Sequence, residues 1–210
     1  IPMGVTKNYV RPFIHWYDER GTEDLDLHGF LLGKGKVESY GYNGTRSSNL
    51  GCYSGDVRHR QGPCAEYVDI HLQKALDAGY QYFVMVVHNF TGRPLNTLKD
   101  CVIGVQERET TSSTTNWLPD TITNSIKPSS TSQYALIGVY DLLTKEYIHL
   151  DLDWATFSGY VSGRDSDQLF TAIAPFIANP KFSLYDLLSW HVEARGRMVS
   201  KETAETTFLY

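Results

Sequence analysis

Apolar and polar residues alternate in short runs along the first half of the chain, and each run is bounded by Gly, Pro, Asn, Asp or Ser. The pattern predicts strands over 13–17, 24–32, 37–42, 66–72, 80–90 and 101–108. In Asp24-Leu25-Asp26-Leu27-His28-Gly29-Phe30-Leu31 the acids alternate with apolar residues, so a strand here places Asp24 and Asp26 on one face, opposite Leu25 and Leu27. Tyr67-Val68-Asp69-Ile70-His71-Leu72 alternates in the same way. Short strands at this spacing predict a sandwich.

Residues 110–132 are rich in Ser and Thr, with Pro119 and Pro128, and read as an exposed insertion. Beyond it, 134–142 and 146–153 form a predicted hairpin around Leu143-Thr144-Lys145. The period then changes. Asp165 or Ser166 caps a helix with Leu169, Phe170, Ile173, Phe176 and Ile177 on one face, stopped by Asn179-Pro180. Ser183 with Asp186 makes a capping box for a second helix that ends near Gly196. The expectation is a mainly β chain: a two-sheet β-sandwich over 1–163 with an insertion near 110–132, and a pair of helices over 164–210 packed on the same domain.

Composition supports the strand reading, because 14 Tyr, 9 Phe and 4 Trp in 210 residues favour pleated surfaces. A net charge of -5 argues against non-specific nucleic-acid binding, which needs a basic face. No apolar run reaches the roughly 18 residues a membrane-spanning helix requires. Cys52, Cys64 and Cys101 form no C-x-x-C pair and no even set, which points to reduced thiols and a cytoplasmic setting.

Two aspartates side by side repel unless a cation, an arginine or hydrogen-bond donors compensate them. The loop 54–66 carries Asp56 and Glu66, and clustered carboxylates suit a hard cation such as Ca²⁺. The same loop carries Arg58 and Arg60, which could fold back on the acids as an ordinary ion-pair network. Chemistry alone leaves both readings open.

The segments Gly21-Thr22-Glu23-Asp24-Leu25-Asp26-Leu27, Tyr53-Ser54-Gly55-Asp56 and Ala65-Glu66-Tyr67-Val68-Asp69-Ile70-His71-Leu72, in this order, resemble the TerD-like domain of tellurium-resistance and stress-response proteins. The resemblance covers about residues 11–107. It implies a β-sandwich that binds Ca²⁺ near one end, with the D-x-D motif and the S-G-D loop among its ligand-bearing elements. Asp24, Asp26, Asp56 and Glu66 are the candidate ligands, with Asp69 added. Where many TerD-like domains carry a second acidic run, this chain has Arg58-His59-Arg60-Gln61-Gly62-Pro63-Cys64. Val139-Tyr140-Asp141-Leu142 and 185–196 look like the extended C-terminal region of larger bacterial TerD-like proteins, which implies a multidomain parent.

Arg58, His59 and Arg60 offer clustered donors to a protein partner, and Trp117 in the polar insertion offers an aromatic contact. No G-x-S-x-G, H-E-x-x-H or phosphate-cradling glycine loop is present, and no catalytic residue is assigned. The expected function is a non-enzymatic binding or scaffold domain in a stress-response or defence context, with a Ca²⁺-stabilised acidic site. The alternatives are a metal-independent assembly module and an enzyme of unknown reaction, the latter using His59 with Cys64, or His88.

Overall fold

Val10, Ile14 and Trp16 share one side of the first strand and are fully buried, and Leu25, Leu27 and Leu31 do the same on the second. This period of two assembles the core of a computed structural model that describes residues 7–110, 122–153, 166–178 and 184–195. Its strands are β1 (Tyr9–Asp18), β2 (Leu25–Gly33), β3 (Lys36–Tyr40), β4 (Gly51–Tyr53), β5 (Gly62–His71), β6 (Tyr80–Asn89), β7 (Val102–Arg108), β8 (Ile122–Ile126), β9 (Tyr134–Asp141) and β10 (Glu146–Asp153).

The strands form two five-stranded antiparallel sheets, ordered β4-β5-β1-β7-β8 and β10-β9-β6-β2-β3. Ile14, Trp16, Val68, Ile70 and Val105 from the first sheet meet Leu27, Leu31, Phe83, Met85 and Val87 from the second in one core. Gly29 makes room for the Phe83 ring of the neighbouring strand β6 in its own sheet: a Cβ there would lie 2.3 Å from that ring.

The predicted strands are all present, with ends moved by a few residues. The run 66–72 starts earlier, at Gly62, and ends at His71, whose Nδ1 accepts the Lys74 N–H and caps the short helix α1 (Leu72–Asp77). Two edge strands escape the alternation rule. β4 has only three residues, and β8 lies in the Ser/Thr-rich stretch, where Ile126 aligns with Ile103. Short, polar edge strands limit edge-to-edge association but carry little periodic signal.

Helices α2 (Ser166–Ala178) and α3 (Leu184–Arg195) match the predicted pair, whereas the Asn179-Pro180 stop lies outside the described residues. The chain divides into two compact units, Ile1–Thr171 and Ala172–Tyr210, with the division inside α2. No helix among the described residues is long and apolar enough to cross a membrane.

What positions the site is a mismatch in strand length. β2 pairs with β6 from Leu25 onward, but with β3 only from Gly29 onward. The first residues of β2 therefore have a free edge, and the loop between β4 and β5 reaches it.

Candidate functional site

Asp24 immediately precedes β2, Asp26 lies within it opposite His88 of β6, and Asp56 comes from the β4–β5 loop. The three carboxylates each present an oxygen within 4.8 Å of the others. Gly55, immediately before Asp56, is at φ +97°, a backbone conformation that glycine adopts without strain. The backbone carbonyl of Asp24 accepts the Phe90 N–H at 2.8 Å, tying the start of β2 to the end of β6.

Glu66 lies beneath the three aspartates and is fully buried. Its Oε2 accepts the Leu27 N–H at 2.9 Å and the Tyr53 hydroxyl at 2.7 Å, while Oε1 accepts the Val57 N–H at 2.9 Å. One carboxylate thus caps the free edge of β2 and fixes the loop residue that follows Asp56. Its oxygens are already engaged, so it supports the site from below rather than opening into it.

The electrostatics show an under-compensated cluster. Burial, then Asp24 and Asp56, push the Asp26 pKa up to about 7. Asp24 is also raised, by burial and then by Asp56. Burial raises Glu66 to about 8, against the three donors that favour its ionised form. Asp24 Oδ1 and Asp56 Oδ1 are buried without a hydrogen-bond partner. His88 Nδ1 is 3.8 Å from Asp26 Oδ2, yet burial lowers its pKa to about 4, so at neutral pH it supplies no charge.

Arg58 is the nearby cation: its Nη2 lies 2.5 Å from Asp56 Oδ2, with the side chain about half exposed. His59 and Arg60 are exposed, with His59 at φ +50°. Trp117 lies outside the described residues. Cys64 donates to the carbonyls of Arg60 at 3.2 Å and Gly62 at 3.6 Å, and burial raises its pKa. That setting disfavours the thiolate a nucleophile needs.

Asp69 does not join the cluster. It lies three residues after Glu66 and so points from the other face of β5, where Arg11 Nε and Nη2 hold its two oxygens at 2.6 Å each. Sequence reasoning missed this pair, although an arginine inside the apolar run Val10-Arg11-Pro12-Phe13-Ile14 signals a buried acidic partner. It also missed Tyr53, Leu27 and Val57 as the donors that hold Glu66. Two of those donors are backbone N–H groups, which have no residue signature.

No protein-family profile and no curated protein matches the chain. Among solved structures, a homologue of the telluride resistance protein TerD, SCO6318 from Streptomyces coelicolor A3(2), aligns with a TM-score of 0.53 at 11% identity. The alignment covers 71% of this chain and 92% of that one. The fold is TerD-like. A protein of unknown function, SAV2460, aligns similarly, with a TM-score of 0.51 at 16% identity over 72% of this chain and 94% of that one. At these identities the likeness concerns the TerD-like architecture and carries no residue role.

Proposed function

We propose that this TerD-like chain is a non-enzymatic binding or scaffold domain in which Asp24, Asp26 and Asp56 hold a calcium ion. The supporting observation is the 4.8 Å spacing of three carboxylate oxygens, two of whose residues also carry a buried, unpartnered Oδ1. Two oxygens on one Ca²⁺ are at most about 5 Å apart, twice a metal–oxygen distance of about 2.5 Å. The donor set is all oxygen, which suits a hard cation over zinc or copper.

The ion would supply the positive charge that one exposed arginine supplies only in part. Its coupling to the fold runs through this chain's own residues. Asp26 is anchored in β2, Asp56 follows Gly55, and Glu66 braces the loop at Val57. Calcium binding therefore joins the β4–β5 loop to the start of β2 and stabilises the folded form by mass action. The stiffened loop presents Arg58, His59 and Arg60 to a protein partner. A stress-response or defence setting draws its support from the TerD-like fold.

Thermal unfolding in CaCl₂ and in EGTA tests the ion. A melting temperature that climbs with calcium, and a climb lost in Asp24→Asn with Asp56→Asn, supports the reading. Coincident melts over millimolar calcium reject it.

The Arg58–Asp56 contact favours a second reading, a metal-independent assembly module whose acids are balanced by an ion pair. It predicts that self-association or partner capture survives EGTA unchanged.

A further inference from the structure

The face of β1 opposite the core carries Arg11, fully buried. On the same face of β5 lie Tyr67 and Asp69, and on that of β7 lies Arg108, 8% exposed. The register sets Arg11 across from Gln106 and Tyr9 across from Arg108, so the two arginines are diagonal neighbours on one sheet face. Such positions are on the order of 7–8 Å apart, well within the span of two guanidinium groups.

Among the described residues, the charges on this face do not balance. Asp69 takes Nε and Nη2 of Arg11, and the Arg11 guanidinium carbon lies over Tyr67 at 3.7 Å from the ring centroid. Arg11 Nη1 is left buried without a hydrogen-bond partner. Arg108 makes no side-chain hydrogen bond or ion pair among the described residues. Glu107 does not help, because it alternates to the core side, where it acts on Tyr140. Among the described residues, two buried guanidiniums thus share one carboxylate. Burial, then the neighbouring Arg11, lower the Arg108 pKa, as expected for a cation short of an acceptor.

We propose that Arg11 Nη1 and Arg108 form a binding site for an oxyanion group, a carboxylate or a phosphate, on the outer face of the β4-β5-β1-β7-β8 sheet. A buried, unpaired charge is costly, and a planar guanidinium edge with a free N–H matches carboxylate and phosphate oxygens. Asp69 fixes the Arg11 plane and Tyr67 supports it, so the donor is positioned before the ligand arrives. Arg108, at the slightly exposed rim, supplies the second contact.

The test is thermal melting of the whole chain in EGTA, with sodium phosphate or sodium acetate replacing sodium chloride at matched ionic strength. The wild-type melting temperature is expected to rise with at least one oxyanion. A rise in phosphate alone assigns a phosphate ligand, and a rise in acetate alone assigns a carboxylate. Arg108→Gln should weaken the apparent affinity by about tenfold or more, the factor carried by loss of one charge-assisted hydrogen bond. Arg108→Lys, which keeps the charge and loses the fork, should fall between the two and serves if the glutamine variant does not fold. Exposed Arg20→Gln should behave as wild type. Melts in phosphate and acetate that match chloride overturn the site, as does an equal rise in wild type and Arg108→Gln.

Discussion

The Glu66 carboxylate accepts the backbone N–H of Leu27 at 2.9 Å, joining β5 of one sheet to the start of β2 in the other. The bond lies where β3 has stopped pairing with β2, and the same side chain also accepts from Tyr53 and Val57. Glu66→Ala would leave three donors without an acceptor, and we expect a loss of about 3–5 kcal/mol in chemical denaturation. Glu66→Gln keeps the shape and one acceptor oxygen, and should lose about 1–3 kcal/mol. A neutral result for Glu66→Ala would show that the loop is held elsewhere.

Asp26 gives the stability a particular pH dependence. Its folded pKa is raised from 3.8 to about 7, so between these values the unfolded chain binds fewer protons than the folded one. The Asp26 contribution therefore falls as pH rises from about 4 to about 7 in EGTA. Buried His28 and His88 act in the opposite sense, because their folded values of about 4 are below 6.5 and their contributions are lost as pH falls through that window. Comparison of wild type with Asp26→Asn isolates the aspartate. The variant should be the more stable at pH 7 without calcium, with the gap closing toward pH 4. A gap that does not change with pH would contradict this.

Asp69 belongs to Arg11, and its substitution should behave differently from that of Asp24 or Asp56. Removing one partner of a buried ion pair costs about 3–5 kcal/mol. Asp69→Asn should show a loss of this size equally in calcium and in EGTA. If the loss appears only in calcium, Asp69 serves the acidic site after all.

Arg58 and a bound cation compete for the Asp56 carboxylate. Arg58→Gln should lower the melting temperature in EGTA and raise calcium affinity several-fold, read by titration calorimetry. An unchanged melting temperature in EGTA would show that the exposed ion pair contributes nothing, as many such pairs do.

The strands that build the core were legible because Val10, Ile14, Trp16, Leu25, Leu27, Phe83, Met85 and Val87 alternate with residues of the other face. β4 and β8 were not, since three residues or a Ser/Thr-rich edge leave too little periodicity. The meeting of Asp24, Asp26 and Asp56 could be anticipated from their motifs, although the distance between them depends on where β3 ends and on Gly55. Asp69 belongs to the same motif as Glu66, Ala65-Glu66-Tyr67-Val68-Asp69-Ile70-His71-Leu72. The three-residue offset from Glu66 already turns it to the other face of a strand, whereas the β1–β5 register that brings Arg11 to it becomes visible only when the strands are paired.

Direct calcium binding, measured by equilibrium dialysis of the whole chain with Asp24→Asn and Asp56→Asn variants alongside, decides whether the three aspartates hold an ion. A single saturable calcium per wild-type chain is expected, with binding weakened by at least about tenfold in each variant, since ligand charge count governs affinity. No calcium retained at millimolar concentration, or equal retention by wild type and both variants, would contradict it.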